Sequence, residues 1–154
     1  VIKLMAPEDQ AIGAALAIFI PAIMGLGGGV AIQSATVIIR GLATGEIEVS
    51  DFTTIFFKET KVVLPLSLSI SAILYITSYF WSGALILSFI IAVTIMAQCL
   101  AAFCMGFSIP VFLKFVGIDP AVAAGPLTMM GCDISGMVIY YGTARIALSW
   151  FGNF

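Results

Sequence analysis

Residues 62–113 run for 52 positions without one Asp, Glu, Lys or Arg. A single bilayer crossing needs only about 20 apolar residues, so this stretch holds two crossings joined by a tight reversal. The reversal is expected at "SYFWSG", residues 78–83, where aromatics suit the membrane interface and Ser82 and Gly83 suit a turn. Few soluble folds can absorb such a run. The whole chain agrees, with 62% hydrophobic and 9% charged residues against roughly 25% charged in soluble domains.

Two further spans flank this pair. Residues 11–39 are also uncharged, and as a helix they would extend about 43 Å, longer than the hydrocarbon core. The first span is therefore expected to be long, tilted or broken. Its middle, "PAIMGLGGGVAIQSAT", holds Pro21 and the consecutive Gly27, Gly28 and Gly29; such breakers suit backbone lining a cavity, or close helix packing. After Arg40, "GLATGEIEVSDFTTIFFKETK" carries most of the charge and is a water-facing connector, with Asp51 as an expected N-cap and Ile55 to Phe57 opening an interfacial helix. The third span ends near Pro110 to Lys114. "VGIDP" then supplies Gly117 as a C-terminal cap, Asp119 as an N-cap and Pro120 as a first helical residue. The fourth span covers about Pro120 to Leu148.

The expected fold class is all-α: a polytopic transmembrane bundle with four long spans, one domain over residues 1–154 and no soluble domain. The net charge of −2 and the lack of any Lys or Arg run set nucleic acid aside. Cys99, Cys104 and Cys132 lie in apolar runs without metal-finger spacing, so they read as packing. Enzyme motifs are absent, and there is no His. Arg40, Lys58, Lys61 and Lys114 flank the first and third connectors, which places those connectors in the cytoplasm.

One residue resists this scheme. Asp133 lies in "GPLTMMGCDISG", about halfway through the fourth span, where an ionised carboxylate costs about 2.5–3.5 kcal/mol on insertion scales. Arg145, twelve residues on, stands about 18 Å away by helix rise, too far for an intrahelical pair. The other spans offer no basic residue at that depth, which leaves a proton or a bound cation. Glycine-interrupted backbone in the first span, able to present carbonyl oxygens, favours the cation. Magnesium keeps several waters and needs only one or two carboxylates, so it suits a roomy site with Gly125, Met129, Asp133 and Gly136 on one face. Zinc or copper would want His or thiolate.

"PAIMGLGGGVAIQSATVIIRGLATGEI" with "FFKE", and "FLKFVGIDPAVAAGPLTMMGCDISGMVIYYGTARI", strongly resemble the membrane domain of the MgtE family of magnesium channels and transporters. The likeness runs from about Ala11 onward. It implies a homodimer in the plasma membrane with five helices per protomer, of which these spans are the second to fifth and the first precedes Val1. It further implies that Asp133 binds partly hydrated Mg²⁺, with Mn²⁺ or Co²⁺ as further candidate cargo. Gly25, Gly28, Gly29, Gly125, Met129 and Gly136 are the expected pore-lining positions, and Asp119 is a structural cap or a secondary ion site. This chain departs from familiar members, which carry Asn, at Gly29, Ile32 and Gly125. The function implied is a divalent-cation channel or transporter; a Na⁺- or H⁺-coupled exchanger of the same fold and a non-transporting assembly subunit are the alternatives.

Overall fold

A computed structural model describes residues 10–48 and 51–151. Four helices account for nearly all of them: α1 (Gln10–Thr44), α2 (Phe52–Ser82), α3 (Leu85–Val116) and α4 (Pro120–Phe151). Each contains a segment long and apolar enough to cross a membrane. The expected four-span helical bundle is what the chain forms.

The connectors are short because each is closed by glycine. Gly45, Gly83 and Gly117 adopt φ of +73°, +65° and +79°, a left-handed conformation that side chains disfavour. Gly83 donates its N–H to Tyr79 O at 2.9 Å, so the α2–α3 reversal needs only Gly83 and Ala84. The six-residue turn expected at 78–83 is thus mostly helix. At the α3–α4 junction Ile118 N–H bonds back to Leu113 O at 2.9 Å, capping one helix. The Asp119 carboxylate accepts the Ala121 N–H at 2.9 Å, capping the next. Asp51 differs: it precedes α2 with near-helical backbone (φ −94°, ψ −7°) and makes no side-chain cap bond. A capping side chain reaches the free N–H groups from extended backbone, which Asp51 lacks.

The first span is not broken. α1 passes through Pro21 and all three consecutive glycines as one 35-residue helix, about 52 Å at 1.5 Å per residue, so its excess length is taken up by tilt or by extension past the lipid. Two of its glycines, Gly27 and Gly28, serve packing instead. A side chain at Gly106 of α3 would collide with the Ala31 carbonyl of α1, so the two backbones meet there.

α3 is the hub, contacting the other three helices, while α1 and α4 also pack on each other and α2 leans mainly on α3. The buried residues follow that plan, with Ile91, Ile95, Cys99, Ala102 and Phe103 of α3 among Ile23, Ala31 and Ile38 of α1 and Cys132 and Tyr140 of α4. Phe56 of α2 locks onto Phe103 and Phe107, with ring centroids 5.0 and 5.2 Å apart. Higher in the same seam Ser71 donates to Ala92 O at 2.8 Å. The outer face of α2, with Leu68, Ile73, Phe80 and Trp81, is exposed, as a lipid-facing helix requires.

Candidate functional site

Asp133 is half-buried on α4, the fourteenth residue of the 24-residue apolar segment Pro120–Thr143. The face on which it stands changes character along the helix. Gly125 and Met129 before it are exposed, whereas Gly136 and Tyr140 after it are buried. Another face of α4, with Ala124, Thr128 and Cys132, is buried throughout this stretch, so the acid sits where its own stripe passes from open to covered. Arg145 is exposed near the far end of α4.

The glycines of α1 divide in the same way. Gly25 and Gly29 are exposed and would meet nothing within 4 Å if given a side chain. Gly27 and Gly28 are covered. A Cβ at Gly28 would stand 3.2 Å from the Met129 Sδ, and one at Gly27 would stand 2.8 Å from the Gln98 Cγ. Gly28 and Gly136 thus pack against side chains of their own chain, Gly28 against the partly exposed Met129, while Gly25, Gly29 and Gly125 remain open.

Behind the acid lies a polar junction. Cys132 is fully buried, and its carbonyl accepts the Gln98 amide at 2.8 Å and the Ser135 hydroxyl at 2.9 Å. Four residues earlier, at one helical turn's spacing, Thr128 is also fully buried with a hydroxyl that has no partner among the described residues. Thr94 and Thr143 pair their hydroxyls at 2.5 Å farther along the α3–α4 seam. Gln98 is a polar residue within an uncharged span, and it makes an interhelical bond. Its partner was not visible, because that partner is a main-chain carbonyl and carries no residue signature.

What this arrangement can do chemically is limited. Among the described residues no three His, Cys, Asp or Glu side chains gather as a metal cage. One half-buried, mid-span carboxylate, with Gly125 and Met129 exposed on the same face of its helix, suits an ion that keeps its water. Asp119 is committed to capping α4 and borders a small cavity of about 70 Å³ shared with Lys114 and Leu42.

Residues 20–143 match the protein-family model MgtE, described as a divalent cation transporter. The chain belongs to the MgtE family. It is similar to the magnesium transporter MgtE of Thermus thermophilus, 36% identical over 134 residues that cover 87% of this chain and 30% of that protein. The magnesium transporter MgtE of Bacillus subtilis is 32% identical over 130 residues, 84% of this chain and 29% of its own length. That of Enterococcus faecalis is 29% identical over 136 residues, 88% and 30%. The chain thus spans about three tenths of the length of these curated relatives. The MgtE description is one of transport across a membrane and not of enzyme chemistry, in keeping with the multi-pass helical bundle.

Proposed function

We propose that this chain is the ion-conducting membrane domain of a magnesium transporter and that Asp133 meets the transported ion. The observation that carries the reading is the position of that acid: mid-span and half-buried, on a face of α4 along which Gly125 and Met129 are exposed. A carboxylate held there without a function would be a pure cost. Magnesium sheds water reluctantly and is commonly held by one or two carboxylates through its hydration shell. Two protomers pairing across the open faces of α1 and α4 would bring two Asp133 carboxylates to one divalent charge. Gly25, Gly29, Gly125 and Met129 line the path in this arrangement, and Mg²⁺ is cargo rather than cofactor. The membrane is the plasma membrane, with the α1–α2 and α3–α4 connectors on the cytoplasmic side.

Reconstitution of the protein in liposomes tests the reading directly. Mg²⁺ influx should be saturable and follow the magnesium gradient and voltage, and Asp133→Asn should reduce it at least about tenfold, the effect of losing a little over 1.4 kcal/mol of ion interaction. Unchanged influx in a folded Asp133→Asn protein would sink the proposal. Influx that collapses with an imposed Na⁺ or H⁺ gradient would identify a coupled exchanger using the same acid.

A further inference from the structure

Gln98 is wholly buried in the middle of α3, and three helices converge on its amide. Its Nε2 donates to the Cys132 carbonyl of α4 at 2.8 Å and lies 3.2 Å from the Cys132 Sγ. The side chain fits only because two neighbours have none. A Cβ at Gly27 of α1 would stand 2.8 Å from its Cγ, and one at Gly136 of α4 would stand 3.0 Å from its Nε2. Its Oε1 has no hydrogen-bond partner among the described residues.

Packing alone does not account for this residue. Methionine or leucine would fill comparable space without leaving a buried acceptor unsatisfied, a penalty that a low-dielectric interior makes larger. What the amide adds is its bond to one carbonyl. That carbonyl belongs to the peptide group whose N–H is Asp133, so fixing it fixes the backbone from which the acid projects. The tie also has a mechanical reason. Pro126, inside α4 and seven residues before Asp133, lacks the N–H that would bond Val122 O, so one rung of the helical ladder is missing about two turns upstream of the acid.

We propose that Gln98 is a positioning residue for transport, clamping the Cys132–Asp133 peptide against α1 and α3 so that the Asp133 carboxylate stands where it meets the ion. The inference rests on the reading of Asp133 as the ion-binding acid. A clamp of this kind acts on how well the ion is held. It therefore moves the half-saturating ion concentration before it moves the maximal rate.

The test is initial Mg²⁺ influx into liposomes over a range of Mg²⁺ concentrations, with folding checked by thermal melting. Gln98→Met, close in size but without the donor, should raise the half-saturating concentration by up to about tenfold, the worth of one hydrogen bond, while the maximal influx stays within about twofold. Gly136→Ala pushes the amide by a few tenths of an ångström and should shift the same quantity by about threefold, a fraction of that bond. A folded Gln98→Met protein with unshifted half-saturation overturns the proposal, and so does one that loses only maximal influx. If Gln98→Met does not fold, Gly136→Ala decides: a shift supports the clamp and an unshifted value overturns it. Asp133→Asn, measured alongside, separates the two ideas. Its full activity would overturn the ion-binding reading, whereas its inactivity beside an unshifted Gln98→Met would overturn only the clamp.

Discussion

Two carboxylates on or beside α4 show how one chemical group takes different work from different surroundings. Asp119 stands just ahead of the helix, exposed, and accepts the Ala121 N–H; water and a backbone donor satisfy it. Asp133 stands mid-span, half-buried, on a helix whose neighbouring N–H groups are already used in the helical ladder. A capping acid is explained by the helix that it caps. An acid in the middle of an apolar helix is explained only by something outside that helix.

The predictions push on this difference. Asp133→Asn removes the charge with little change of shape, so it should cost most of the Mg²⁺ influx while leaving the melting temperature in detergent unchanged or raised; a large loss of stability instead would make the acid structural. Glycine pairs on α1 probe the same margin between core and open face. Gly27→Ala drives a Cβ toward Gln98 and should destabilise by about 1–3 kcal/mol, the usual range for overpacking. Asp119→Ala should lower stability by about 1 kcal/mol through the lost cap, with Asp119→Asn close to the parent. Influx of Asp119→Asn that falls as far as that of Asp133→Asn would erase the contrast between the two acids. Smallest is Gly29→Ala, where a Cβ meets nothing within 4 Å. The protomer should gain about 0.5–1 kcal/mol from the lower chain entropy of alanine, read as a modest rise in melting temperature. A fall there would reveal a partner covering that face.

Much of the fold could be read from the sequence, and for simple reasons. Span number follows from charge-free length, and the helix ends at Gly83 and Gly117 follow from glycine's freedom at positive φ; the limits do not, since α1 runs past Arg40 to Thr44 and α2 begins at Phe52, ahead of Lys58 and Lys61. The exceptions are instructive. "GLGGG" reads equally as a broken span or as a packing surface, because glycine permits both; the closeness of α3 and α4, unreadable locally, decides for packing at Gly27 and Gly28. Asp51 has the right residue type for a cap but the wrong backbone angles.

For the candidate site, the sequence by itself determined the depth of Asp133 and the want of a basic partner at that depth, since both depend only on position along a helix and on the span boundaries. The tertiary structure alone decided which neighbours share that depth. It turned Gly25, Gly29 and Gly125 outward, folded Gly28 against Met129 and Gly136 against Gln98, and brought Gln98 to the carbonyl beside the acid. That division has a physical cause: hydropathy and helix rise are properties of one segment, whereas the rotation of each helix about its axis is fixed only when the other helices pack against it.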